Sequence, residues 1–442
     1  MKKFITTIRN IFSIEELRTR ILTTVYLLLI FRLGSFIVLP GIDPVVLQKA
    51  DIAQQGIFGL LDTFLGGAFS KASIFALGIM PYISASIVVQ LLTVAMPYFQ
   101  KMQKEGESGR NKINQITRLL TIVITFAQAL GYLTTTIPTE AILVDLWFFR
   151  VSSVIIITAG TIFTMWIGER ITDKGIGNGI SMLIMIGIIS RLPAALVQEV
   201  SSRFAASQAL LLILELIALF FVVMAVVLFT QATRKVPVQY AKQVVGNKVY
   251  GGQRQYIPLK VNAAGVMPII FAQSMMFLPG MTAGYFAASS DFAASIATTF
   301  QDYTSWQYNL LFVLLIIVFT YFYTAISINP NQIADDMKRS GGFIPGVKPG
   351  APTSEHIDSI LSKITLPGSI FLAIVAILPA LAVLFNVKIE FSQFYGGTSL
   401  LIMVGVVLDT LQQINSYLLM KRYEGMMKSG KVKGRSQDIA VA

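Results

Sequence analysis

The chain has 442 residues, 54% of them hydrophobic and only 13% charged, with a mean hydropathy of +0.69. Soluble globular proteins carry about 25% charged residues, so a molecule whose whole surface faces water is excluded, and lipid is the solvent for much of the chain. There is no cysteine and one histidine, His356, which excludes disulfides, thiolate redox chemistry and Cys/His zinc centres; the net charge of +12 points to membrane orientation or to contact with anionic lipid or RNA.

Residues 1–20 are polar and basic, and no small-residue cleavage site follows the first apolar run, so that run reads as a membrane span rather than a signal peptide. A helix crosses the hydrocarbon core with about 20 apolar residues. On that measure spans are expected at 21–39, 73–96, 117–137, 147–168, 179–200, 209–230, 263–286, 307–328, 365–386 and 398–419. The fifth is the weakest, because Arg191 and Pro193 interrupt it. Residues 57–69, before the second span, are apolar but too short to cross. Gly66, Gly67 and Ala68 there permit close backbone approach. Two arrangements satisfy this stretch: a half-helix dipping back into a cavity, or an interfacial helix on the surface.

The placement of basic residues tests the count. Of the 35 Lys and Arg residues, Lys49, Lys71, Arg191, Arg203 and Lys388 fall on one side of the ten spans, and Arg32 and Arg150 fall within or at the edge of spans. All the others lie on the opposite side. That asymmetry orients the chain with both termini in the cytoplasm. Two long cytoplasmic segments, 231–262 and 329–364, are rich in Gly, Pro and basic residues, a pattern that suits docking as well as plain connection. His356, beside Glu355 and Asp358, reads as a solvated histidine.

Charged residues inside spans are few: Arg32, Glu215 and Asp409. They form no Asp/Glu/His relay of the kind that couples a transporter to protons or sodium, and no paired site for a membrane-embedded enzyme. The run from Gly175 to Ser181 has glycines, but neither the spacing nor the strand–helix setting of a dinucleotide loop. No Gly-x-x-x-x-Gly-Lys phosphate loop occurs, so any nucleotide belongs to a partner. No cofactor, metal or direct DNA binding is expected.

Several long segments resemble the SecY family of protein-translocation channel subunits. They are DTFLGGAFSKASIFALGIMPYISASIVVQLLT (62–93), GERITDKGIGNGIS (168–181), IPLKVNAAGVMPIIFAQS (257–274), NPNQIADDMKRSGGFIPGVKPG (329–350) and FYGGTSLLIMVGVVLDTLQQINSYLL (394–419). They occur in family order across nearly the whole chain. The resemblance implies an all-α integral membrane fold, with ten transmembrane helices in two inverted-repeat halves around an hourglass pore and a short plug helix. The first half would be 21–200, with spans one to five and the plug at about 57–70. Span six at 201–230, spans seven and eight at 263–328 and spans nine and ten at 365–419 would form the second, followed by a basic tail at 420–442.

The resemblance also assigns roles residue by residue. Ile79, Ile83, Ile180, Ile184, Ile270 and Ile402 match the pore ring, where a narrow aliphatic collar dewets and so opposes ions. Leu60, Leu61, Asp62, Thr63, Phe64, Leu65, Gly66 and Gly67 match the plug. Gln90, Gln128 and Asn262 match polar positions of a lateral gate between spans two and three and spans seven and eight. Lys248, Arg254 and Lys348 fall in the two segments that would dock the ribosome or the motor ATPase SecA. Here the chain departs from the family pattern: Lys348 stands where arginine is common, which keeps the charge but loses the planar guanidinium fork, and Asn247-Lys248 replaces a basic pair. Implied partners are SecE-like and SecG-like small subunits, SecA, the ribosome, signal-bearing client polypeptides and membrane lipids, and the implied location is the bacterial cytoplasmic (inner) membrane. Set against a solute transporter or a membrane enzyme, the expected function is protein conduction without catalysis.

Overall fold

The structure, a computed structural model, describes residues 12–49, 59, 62–240, 243–245, 248–250, 254–286, 295, 298–300 and 302–428. Each of the ten expected spans coincides with a helix. The first half contains α1 (Glu15–Gly34), the short α2 (Pro44–Lys49), α3 (Met80–Ala95), α4 (Pro97–Lys104), α5 (Glu107–Thr135), α6 (Leu146–Lys174) and α7 (Gly179–Ala205). The second contains α8 (Ala209–Gln231), α9 (Met267–Phe286), α10 (Trp306–Ser327), α11 (Pro330–Arg339), α12 (Ala351–Leu384), α13 (Ile389–Ser392) and α14 (Gly397–Lys428). Among the described residues, seven helices are long and apolar enough to cross a membrane by themselves, and α3 with α4 makes an eighth if that pair is one span. The pair bends by 98° where Met96 turns extended ahead of Pro97, as the residue before a proline is driven to do.

Span two differs from its expected start. Residues 73–79 are apolar enough for a helix but run as turns, and the helix begins only at Met80. Gly66, Gly67, Ala72 and Gly78 all take positive φ, which no α-helix accommodates. Such irregular backbone is tolerated at membrane depth where protein encloses it, and Leu65 to Phe69 and Ala76 to Ile79 are buried. The fifth span, by contrast, is one continuous helix despite Pro193.

The two long segments also differ from open loops. β1 (Thr233–Tyr240) pairs antiparallel with β4 (Arg254–Lys260), and β5 (Gly342–Phe343) adds to the other edge of β1, giving the order β4-β1-β5. A hairpin of β2 (Gln243–Val245) and β3 (Lys248–Tyr250) extends from it. Alternation explains the ribbon: Val236 and Val238 are buried, Val236 opposite Ile257, and Leu259, opposite Arg234, is buried too, the period-two pattern of a half-buried sheet. They pack with Met337, Ile344, Ile357 and Leu361 into a small separate core. The segment 329–364 is thus α11, β5, a turn, and the first part of α12. His356 is exposed there.

Within each half the long helices pack on one another, α5 with α3 and α6 in the first and α10 with α9 and α12 in the second. Between halves the contact is uneven. α7 packs extensively on α14 and also meets α8, whereas α9 meets α3 and α5 over a much smaller area. The broad side carries a buried charge network. Arg203 donates from Nε to Glu199 Oε1 at 2.8 Å, from Nη1 to Gln208 Oε1 at 2.8 Å, and from Nη2 to Glu215 Oε1 at 2.5 Å and to the Asn386 carbonyl at 2.8 Å. Glu199 also accepts from the Lys388 backbone N–H. These bonds clasp α7, α8 and the turn after α12, and so tie the halves together along one edge.

The glycine run at 175–179 is a tight turn between α6 and α7. Asn178 caps α7 by accepting from Ile180 and Ser181 N–H, the ordinary use of asparagine at a helix start. A Cβ at Gly179 would stand 1.9 Å from the Gly168 carbonyl oxygen, and the Gly177 N–H donates to Gln413 of α14 at 2.8 Å.

Candidate functional site: a pore waist and its plug

The interface between the halves converges on isoleucine. Ile83 of α3, Ile184 of α7, Ile270 of α9 and Ile402 of α14 line one cavity together with Phe64, Met80, Gln273 and Thr398. Its volume of about 20 Å³ is roughly room for one water. Ile79 and Ile180 do not line the cavity but belong to the same buried cluster, Ile79 within it and Ile180 packed against it. Four of the six isoleucines, two from each half, thus meet at one cavity, and the other two belong to the large core around it. Among the described residues, Gln273 and Thr398 are the only polar side chains on the cavity wall.

Phe64 enters that cavity from the plug segment. Leu60 and Leu61 lie outside the described residues. Residues 62–64 are helical, and the chain then turns through Gly66 and Gly67 with φ of 63° and 89°. Leu65 joins a neighbouring core with Phe69, Ala72 and Leu77. Asp62 is 1% exposed. Its carboxylate accepts from the Ser70 N–H at 2.8 Å and Ser70 Oγ at 3.0 Å, and it pairs with the Arg191 guanidinium. Arg32 Nη1 of α1 donates to the Gly66 carbonyl at 2.7 Å. Thr63 Oγ1 donates to Gln393 Oε1, just ahead of α14. Close approach is made possible by Gly187 of α7, where a Cβ would stand 2.2 Å from the Phe64 carbonyl oxygen.

The three expected gate residues are more dispersed. Gln128 of α5 lines a second cavity of about 20 Å³ with Ser84 of α3 and Ser274 of α9, at the narrow side of the halves. The Ser274 hydroxyl has no hydrogen-bond partner among the described residues. Gln90 is half-buried on α3, and Asn262 sits in the turn before α9 with its Oδ1 buried and unpartnered. No hydrogen bond joins the three amides among the described residues. Of the docking candidates, Lys248 opens β3 opposite Val245, Arg254 opens β4 opposite Gln239, and Lys348 is exposed in the turn between β5 and α12.

Sequence reasoning missed most of what seats the plug. Arg32 stood out as a charge inside a span, and Arg191 as an interruption of one, but neither observation identified a partner. Gln393, Ser70 and Gly187 carried no signal. The third charge noted, Asp409, is exposed on α14.

Residues 73–411 match the SecY family model. The chain is 45% identical to the protein translocase subunit SecY of Halalkalibacterium halodurans over 96% of its length and 99% of that protein. It is 41% identical to the same subunit of Chlamydia trachomatis, over 97% and 99%. This chain belongs to the SecY family. Among solved structures the SecY-family fold recurs in a protein-conducting channel, at a TM-score of 0.65 with 16% identity, covering 90% of this chain and 92% of the other. It recurs also in Sec61 of the canine ribosome-channel complex, at 0.61 and 16%, with the same coverage. The seven or eight apolar helices long enough to cross a bilayer place this chain, with its family, among multi-pass membrane proteins.

Proposed function

We infer that the chain is the protein-conducting subunit of a translocon in the bacterial cytoplasmic membrane, with both termini in the cytoplasm. It threads unfolded polypeptides across the bilayer and releases apolar segments sideways between α3 with α5 and α9 with α10. One observation carries this reading: isoleucines from four helices of both halves meet one another, and Phe64, around a cavity large enough for about one water. Six isoleucines, Ile79, Ile83, Ile180, Ile184, Ile270 and Ile402, form the waist. Dewetting there opposes ions, and the plug, assigned to Leu60 to Gly67, seals it at rest through Phe64. Gln90, Gln128 and Asn262 line the side that parts. Interhelical hydrogen bonds in lipid are worth only about 0.6–2 kcal/mol, which suits a seam that an incoming apolar helix must open.

The sheet and the turn before α12, with Lys248, Arg254 and Lys348, take the ribosome or a SecA-like motor. SecE-like and SecG-like subunits brace the two halves within lipid. The test is reconstitution in vesicles with a SecE-like subunit, a SecA-like motor and a signal-bearing client. Client protected from added protease, in an ATP-dependent way, is the expected result; full digestion at every motor concentration would remove the reading.

A further inference from the structure

The plug segment is held in a buried electrostatic seat, and the two members of its ion pair differ sharply in exposure. Asp62 is 1% exposed, while the Arg191 side chain is 26% exposed. Arg191 also borders a small polar cavity of about 20 Å³ shared with Asp62 and Glu390, so it keeps an acidic neighbour if Asp62 loses its charge. Among the described residues Asp62 has no second cation on it; its other partners are the Ser70 N–H and hydroxyl. Arg32 acts separately, on the Gly66 carbonyl. Both arginines rise from helices of the first half, α1 and α7. The polar contact to the second half is uncharged, Thr63 to Gln393.

We propose that Arg191 is the positioning residue that keeps the plug seated, by neutralising the buried Asp62 carboxylate, with Arg32 as a second, independent tether to the same half. This rests on the assignment of the plug above. A lone carboxylate in that seat is poorly solvated, and it recovers water when the segment lifts away. Breaking a buried pair from one side is far more disruptive than removing both partners. The two single variants must therefore differ. Arg191→Gln strands the buried member. Asp62→Asn leaves the partly exposed one, which keeps Glu390 as its acidic neighbour across the cavity.

The experiment is resting ion conductance of the purified translocon complex in planar bilayers, with no client present. Arg191→Gln is expected to open at least about tenfold more often than the parent, the factor that corresponds to about 1.4 kcal/mol. Asp62→Asn and the double variant Asp62→Asn/Arg191→Gln should both stay within about threefold of it, because neither leaves an unpaired buried charge. Arg191→Lys keeps the charge and should fall near the parent. If Arg191→Gln lowers the yield of assembled complex, the double variant should recover that yield. A double variant as leaky, or as poorly assembled, as Arg191→Gln overturns the proposal. So does an unchanged Arg191→Gln in a channel that leaks when residues 62–67 are deleted. Should that deletion itself leave conductance unchanged, the plug assignment falls first and this inference with it.

Discussion

Replacing Ile402 with asparagine tests the waist directly. Ile402 is 2% exposed and reaches the cavity shared by Ile83, Ile184, Ile270 and Phe64. In the closed channel the substitution forfeits part of a buried aliphatic side chain, worth about 1.5–3 kcal/mol when complete. It also buries an amide, which costs about 1–3 kcal/mol if unpartnered. The cavity holds roughly one water, and Gln273 and Thr398 are the polar side chains on its wall, so some of the amide's cost is offset. A net penalty of about 2–4 kcal/mol on the closed state remains, and it vanishes once the waist widens and fills with water or client. At 1.4 kcal/mol per tenfold, that shifts the closed–open balance by about 30- to 800-fold. Ile402→Val separates size from polarity, since losing one methylene costs about 0.5–1.5 kcal/mol. Single-channel recording without client should therefore rank Asn well above Val, and Val slightly above the parent. Equal conductance for Asn and Val, in complexes that melt at the same temperature, would refute a waist sealed by dewetting.

Arg203→Ala should destabilise the molecule by about 3–5 kcal/mol, because it leaves the Glu199 and Glu215 carboxylates buried without their cation. Thermal melting in detergent should show this, and the triple variant Glu199→Gln/Arg203→Met/Glu215→Gln should regain most of the loss; a triple less stable than the single contradicts it. Gly187→Ala drives a Cβ to 2.2 Å from the Phe64 carbonyl oxygen, and since backbone cannot yield there, the plug must lift and resting leak must rise. A tight channel with Gly187→Ala would mean the segment is seated elsewhere. Lys348→Glu reverses one exposed charge and should weaken binding of the motor ATPase to reconstituted vesicles by about tenfold, mainly through slower association, and salt should diminish the difference.

Hydropathy alone located the ten helices, because a span is a bulk property of some twenty side chains. It misplaced the start of span two, since the segment from Ser73 to Ile79 is as apolar as a helix, and only the positive φ at Ala72 and Gly78 reveals that it winds. The sheet escaped notice because its alternation is brief: Val236 and Val238 are separated by a proline and preceded by Arg234 and Lys235. The isoleucines Ile83, Ile184, Ile270 and Ile402 that meet at the cavity were singled out by resemblance and not by physics. An isoleucine in an apolar helix looks the same whether it meets lipid, core or a pore axis. The arginines show the converse limit. Their cost in a membrane span was plain from sequence, but the partners that justify it, Asp62 and the Gly66 carbonyl, lie far away in the chain and become visible only when α1 and α7 are folded around the plug.

The three-stranded ribbon has a mechanical side. β1 emerges from α8 and β4 feeds α9, while β5 follows the helix that continues α10 and precedes α12, and one shared core holds them. The head is therefore rooted in four of the five long helices on the same side of the molecule and in none of the other five. A partner docked on it would move that side as a block. Such a push would swing one wall against the other, pivoting where Arg203 clasps them and widest where α9 barely touches α3 and α5.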